Sequence, residues 1–199
     1  MRKIVFATSN PHKLEELRAI CKSKSDIEFV LPPSDFNPDE CGKTFEENSL
    51  IKAKAIKAFC DKNDIHEIIM TDDAGLCVDA LNGEPGVYSA RYAGDHAPQI
   101  ESITKVLNKM KDVKDEDRTA KFVCVLTLIM PDGIIKVARG ETLGKIVKTP
   151  GPLGKLTYGP IFIPNGFNKT MNELTDEELG ATHREKALNQ IIKYLKEAK

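Results

Sequence analysis

The sequence predicts a mixed α/β domain, and three observations carry that prediction. An apolar run at residues 3–7, KIVFA, ends in the polar turn Thr8-Ser9-Asn10-Pro11 and leads into leucines at helical spacing. A second apolar run at 121–130, KFVCVLTLIM, is followed by Pro131-Asp132-Gly133 and a return strand at 134–140, which is a hairpin signal. Further helix-spaced segments recur between the runs, without the regular strand–helix alternation of a doubly wound fold.

In chain order, residues 3–7 form the first strand. Pro11 suits the first turn of the helix that follows, and Leu14, Leu17 and Ile20 share one face of it. A short strand is predicted over Ile27–Leu31. Residues 32–43 hold three prolines and a glycine and read as a loop. Thr44, with Glu47 three residues on, is placed as a capping box for a helix reaching about Cys60. Ala53, Ala55 and Ala58 favour that helix and permit close packing. Ile68-Ile69-Met70 is too short for a helix. It reads as a buried strand ending in Thr71-Asp72-Asp73, with another strand over 76–80. Gly83, Pro85, Gly86 and Gly94 punctuate an irregular segment that carries Tyr88, Arg91 and Tyr92. A helix over Pro98–Lys109 places Ile100, Ile103 and Leu107 on one face. Residues 149–160 are rich in glycine and proline and form a loop. A last helix over 181–197 lines up Ala187, Ile191 and Leu195.

At 199 residues, the chain can bury a full core without disulfides or a structural metal, and one domain over 1–199 is expected. Its 29 basic and 30 acidic residues leave a net charge of −1, which argues against a broad polyanion-binding surface and a stable nucleic-acid complex. No apolar stretch is long enough for a membrane span. The start, MRKIVFATSNP, reads as a strand rather than a signal peptide. The five cysteines, Cys21, Cys41, Cys60, Cys77 and Cys124, form no CxxC pair, so reduced thiols in a cytoplasmic protein are expected. No zinc-ligand spacing is present.

Four groups of residues are candidates for chemistry. Thr8, Ser9, Asn10 and Lys13 join a strand to a helix start. Hydroxyls, backbone N–H groups and the helix dipole suit a phosphate there, and Lys13, unfavourable beside the dipole, fits if an anion lies between. Ordinary capping beside a solvated lysine is the plainer reading. Glu40 precedes the second helix, on which Asn48 and Lys52 share a face at i,i+4, and a solvent-facing polar pair is the plainer reading. Asp72 and Asp73 are costly if buried without a cation, and Mg²⁺ is one answer. Neighbours on a strand point to opposite sides, so one aspartate can hold metal while the other orients the site. An acidic surface turn is the alternative. Finally, His183 and Arg184 open the last helix, and Tyr88, Arg91 and Tyr158 lie in loops where a ring can stack on a base or simply cover the core.

At these residues the sequence resembles the inosine triphosphate pyrophosphatase family. The resemblance is carried by ATSNPHKLEEL (7–17), TFEENSLIKAKA (44–55), TDDAGLCVDALNGEPGVYSARYAG (71–94), YGPIF (158–162) and THREKAL (182–188). It implies an elongated mixed α/β fold with a long central sheet, flanking helices and two lobes around an active-site cleft. It implies Mg²⁺-dependent cleavage of a nucleoside triphosphate between the α and β phosphates, with ITP, dITP and XTP favoured. Homodimers are implied as well. By the same resemblance Lys13, Thr8 and Asn10 face the phosphates, and Glu40 is the acidic metal residue. Lys52 is the helix lysine, Asp72 and Asp73 support metal and water with Asp73 the catalytic choice, and His183 and Arg184 lie in the base-recognition region.

Two segments depart from the family pattern. Where the family shows a GGFGYDP loop, this chain reads GPLGKLTYGP, with Leu156 at the aromatic position and Gly159 at the aspartate position. The EEKxxxSHR pattern becomes EELGATHR, with Leu179 for lysine and Thr182 for serine. Loss of a stacking ring removes roughly 1–3 kcal/mol in the nucleic-acid case. Pyrophosphohydrolysis with altered base specificity, or nucleotide binding with weak or lost turnover, are the alternatives these changes keep open.

Overall fold

A computed structural model describes residues 2–8, 11–22, 26–32, 38, 40–154 and 156–198, with the backbone alone at 11 and 12. Ser9 and Asn10, expected at a phosphate, lie outside the described residues, as does much of the expected 32–43 loop. The chain divides into two compact units. One comprises Met1–Asp73, Cys124–Gly140 and Arg184–Lys199, the other Ala74–Val123 and Glu141–His183. A six-stranded sheet runs in the order β2-β1-β3-β4-β5-β6. Its strands are β1 (Arg2–Ala7), β2 (Ile27–Val30), β3 (Ile68–Val78), β4 (Thr119–Ile129), β5 (Ile135–Ile146) and β6 (Phe162–Pro164). β1 is parallel to both β2 and β3, and β5 is antiparallel to β6. The longer helices are α1 (Pro11–Lys22), α2 (Phe45–Lys62) and α3 (Gln99–Lys109), followed by the single-turn α4 (Asp176–Leu179) and by α5 (His183–Glu197). The mixed α/β expectation, a central sheet with flanking helices, is borne out.

In the first unit, the period of two along a strand sorts the packing. Val5, Ala7 and Ile69 meet Ala53, Ile56 and Cys60 of α2, the close approach that the alanine-rich stretch permits. Ile4 and Phe6 alternate to the other face, where Phe6 meets Phe29 of β2 edge-on at 5.9 Å. Thr44 caps α2 by accepting from the Glu47 backbone N–H at 3.1 Å. The reciprocal bond goes one residue further back, from the Lys43 N–H to Glu47 Oε2 at 2.6 Å, so the box closes around Lys43 rather than Thr44. The predicted hairpin is present: Met130 donates to Ile134 O and Gly133 to Met130 O, with Asp132 accepting from the Ile134 N–H.

In the second unit, α3 buries Ile103 and Val106 against Leu76, Val78, Phe122 and Phe162. Arg118, itself buried, donates to the carbonyls of Met110, Val113, Ile146 and Val147, joining the end of α3 to the end of β5.

Three expectations are corrected. The strands expected at 68–70 and 76–80 are one strand, β3, so the aspartates lie within it rather than at its end. The carboxylates broke the apolar pattern, while the cations that compensate them come from distant segments. The return strand expected at 134–140 continues to Ile146 as alternating residues, which carry no continuous apolar run. Ile100 is 47% exposed while Ile103 is fully buried, so the core face of α3 is centred on Ile103 and Val106.

That assignment predicts unequal costs for two like substitutions. Ile103→Ala should lower the unfolding free energy by about 2–5 kcal/mol, and Ile100→Ala by less than about 0.5 kcal/mol. Equilibrium urea denaturation measures both, and equal losses would contradict the packing.

Candidate active site

The site begins with the register of α2 on β3. Thr71 Oγ1 donates to Ser49 O at 2.7 Å, and the two hydroxyl oxygens lie 3.3 Å apart. Ser49 and Lys52 share a helix face, and Thr71 and Asp73 share a strand face. This one contact therefore brings the Lys52 ammonium beside Asp73, 3.7 Å from Oδ1. Lys52 also donates to Glu40 Oε1 at 3.1 Å. Glu40 is held nearby because the Gly42 N–H donates to Asn48 Oδ1 at 2.8 Å. A Cβ at position 42 would sit 2.7 Å from that oxygen, so glycine is required for the approach.

Asp72 faces the other way. Its Oδ1 accepts from Lys13 Nζ at 3.2 Å, and its Oδ2 lies 3.0 Å from the same nitrogen. Arg184 NH1 donates to Oδ2 at 2.5 Å, while its Nε donates to Glu16 Oε2 at 2.8 Å. Cys124 Sγ is a further acceptor for Arg184 NH1 at 3.4 Å. Lys13 stands in the first turn of α1, against the helix dipole, and the Asp72 carboxylate offsets that cost.

The two aspartates have opposite electrostatics. Burial pushes Asp72 up, yet the Lys13 and Arg184 charges prevail and hold it well below the usual carboxylate range. Burial also pushes Asp73 up; Lys52 opposes this and the Glu40 charge adds to it, leaving Asp73 at about 6. Burial would lower Lys52, but Asp72, Asp73 and Glu40 outweigh it and raise it. Burial puts the Cys124 thiol up at about 12, so it stays protonated and inert at neutral pH.

A hard divalent cation fits one side of this arrangement. Glu40 and Asp73 are two carboxylates facing one ammonium, Lys52. Among the described residues no group of three or more His, Cys, Asp or Glu could hold a metal unaided. Mg²⁺ takes one or two carboxylates together with water and substrate phosphates, so Glu40 and Asp73 are the residues that could hold it. Asp72, expected among the metal residues, instead has both oxygens engaged by Lys13 and Arg184.

The remaining expected residues lie as follows. Thr8 follows β1 and is half-buried. In the second unit, Tyr88 is 54% exposed with the Arg91 guanidinium 5.4 Å from its ring centroid. Tyr158 is 2% exposed and donates to Ser89 O at 2.8 Å, so its ring is a core group and not an open stacking surface. His183 is buried and stacks on Phe122 at 5.2 Å. Arg184, expected at a base, is committed to the buried Asp72 because an ion there needs a counter-charge. At Gly159 a Cβ would overlap the Asn172 carboxamide, which donates to Pro152 O and Leu156 O. Glu16 was not expected at all. Its only sequence signal is its position three residues after Lys13 on a helix.

Asp72→Asn would remove the counter-charge that Lys13 and the buried Arg184 share, leaving Arg184 with Glu16 alone. A loss of about 3–5 kcal/mol in unfolding free energy is expected. Thermal and urea unfolding check this, and a loss below about 1 kcal/mol would contradict it.

Known proteins match over nearly the whole chain. The Ham1 family model matches residues 4–194. A dITP/XTP pyrophosphatase of Clostridium perfringens is 38% identical over 200 residues, covering 98% of each chain. The structure of the Staphylococcus aureus Ham1 protein superposes with a TM-score of 0.85 at 36% identity, covering 100% of both chains. A HAM1 protein from Coxiella burnetii gives a TM-score of 0.86 at 34% identity, covering 99% of this chain and 100% of that one.

Proposed function

This chain belongs to the Ham1 family, and from that premise we propose that it hydrolyses the non-canonical purine nucleoside triphosphates dITP, ITP and XTP to monophosphate and pyrophosphate. The observation that carries the reading is the pair of adjacent aspartates, one held by Lys13 and Arg184 and the other facing Lys52 and Glu40. Two ammonium groups beside carboxylates of unequal proton affinity suit a polyanion that must be both bound and attacked.

Lys13 and Lys52 attract the triphosphate and offset charge on the departing pyrophosphate. Glu40 and Asp73 would hold Mg²⁺, which when bound supplies Lewis-acid stabilisation of phosphate charge. Asp73 is ionised at neutral pH, since its carboxyl stands at about 6. It accepts a proton from the attacking water at Oδ2, the oxygen other than the one facing Lys52. The water oxygen bonds to the α phosphorus, the α–β bridging bond breaks, and the electron pair leaves with pyrophosphate. Asn48 keeps Glu40 in reach through Gly42. Asp72 takes no proton, because Lys13 and Arg184 hold it ionised. The working form is proposed to be a homodimer.

A second reading is the same hydrolysis with a shifted base preference. It is favoured by the Asn172 carboxamide filling the space beside Gly159, where the family's pattern has an aspartate.

Incubation with Mg²⁺ and ITP, XTP, dITP, GTP, ATP, dUTP and dCTP, with products separated, tests both readings. Monophosphate plus pyrophosphate, fastest from ITP, dITP or XTP, is expected. Diphosphate plus phosphate would contradict the reaction, and a preference for another base would select the second reading. Chelation of divalent cations should abolish turnover.

Protonation of Asp73 grows as pH falls, so kcat/KM should decline on the acid side of neutrality. Asp73→Asn should remove roughly 10²–10⁴ of the rate. Near-normal turnover in that variant would rule out its role.

A further inference from the structure

We propose that Glu16 is a positioning residue that aims Lys13 at the triphosphate by locking Arg184 onto Asp72; this rests on the reading that Lys13 binds phosphate. Four alternating charges form a closed circuit. Lys13 meets both Asp72 oxygens, Arg184 NH1 meets Asp72 Oδ2, Arg184 Nε meets Glu16 Oε2, and Glu16 returns to Lys13 through three residues of α1. Lys13 and Glu16 lie on one helix face, so α1 supplies both ends of the clasp.

The geometry makes Glu16 more than a surface partner. A guanidinium is a planar fork, and one hydrogen bond leaves it free to rotate about that contact. Asp72 and Cys124 both bond NH1, and Glu16 on Nε is the contact that holds the other arm of the fork. Arg184 then approaches Oδ2 from one direction, and Lys13 bridges both oxygens from another. The location of the Lys13 ammonium follows the tilt of the Asp72 carboxylate, and that tilt follows Arg184. Glu16 is the outermost member, with a side chain 31% exposed against 1% for Asp72. It can therefore change without opening the core. It also balances the charge of the circuit at two positive and two negative groups, so Asp72 is not required to neutralise Arg184 alone.

Glu16→Gln keeps shape and removes charge. Equilibrium binding of a non-hydrolysable purine triphosphate analogue, measured without divalent metal, should weaken roughly tenfold. In turnover, KM should rise by a similar factor with kcat held within about twofold, the pattern of lost ground-state binding. The same substitution made on Lys13→Met should change binding by less than about twofold, since the group being aimed is gone. Arg184→Lys, which keeps a cation but not the fork, should shift binding in the same direction as Glu16→Gln.

Unchanged binding in Glu16→Gln would overturn the proposal. So would an equal loss with and without Lys13, because Glu16 would then act elsewhere. If the protein binds the analogue with the predicted coupling but releases no pyrophosphate, the positioning role stands and the hydrolase reading fails. If it binds no triphosphate at all, both fail.

Discussion

The Asp72 carboxylate, buried between the Lys13 ammonium and the Arg184 guanidinium, is the interaction on which the site depends. An isolated ion at that depth costs several kcal/mol, and attraction to a partner offsets this only when the geometry is close and the remaining lone pairs are used. Here both oxygens are used, by cations from α1 and α5. Three elements of the first unit are thereby fixed to one another: β3 carries the charge, and the two helices must present their cations to it.

Asp73 is one residue away and chemically different because a strand turns successive side chains to opposite faces. Its face belongs to α2, set in register by the Ser49–Thr71 contact. There it meets one ammonium and a second carboxylate rather than two cations. Adjacent residues of the same type thus acquire opposite proton affinities from the helices each one faces. A near-neutral chain sustains this because its charges are segregated at the site, with little left in net balance.

The first strand, α1, the cap of α2 and the β4–β5 hairpin were legible because each is written in contiguous residues. The continuity of β3 was not. Its pattern breaks at Asp72, whose counter-charges lie 59 residues away at Lys13 and 112 away at Arg184. Lys13, Lys52, Glu40 and the two aspartates could be named from spacing and resemblance. Their division into two sets required knowing which helix covers which face. Tyr158 shows the opposite difficulty: a tyrosine in a glycine-rich loop looks available, yet its hydroxyl finds the Ser89 carbonyl and the ring is buried. Arg184 could be read as a ligand-facing cation only until its two carboxylate partners were placed. Glu16 was hidden because an acidic residue on an exposed helix has many ordinary explanations.

The contrast between the two aspartates is the central claim, and carboxyl-carbon NMR titration of the labelled protein tests it directly. Asp73 in the metal-free protein should titrate near 6, and Asp72 should stay ionised down to the pH at which the fold is lost. Two aspartates titrating together in the ordinary carboxylate range would contradict the account.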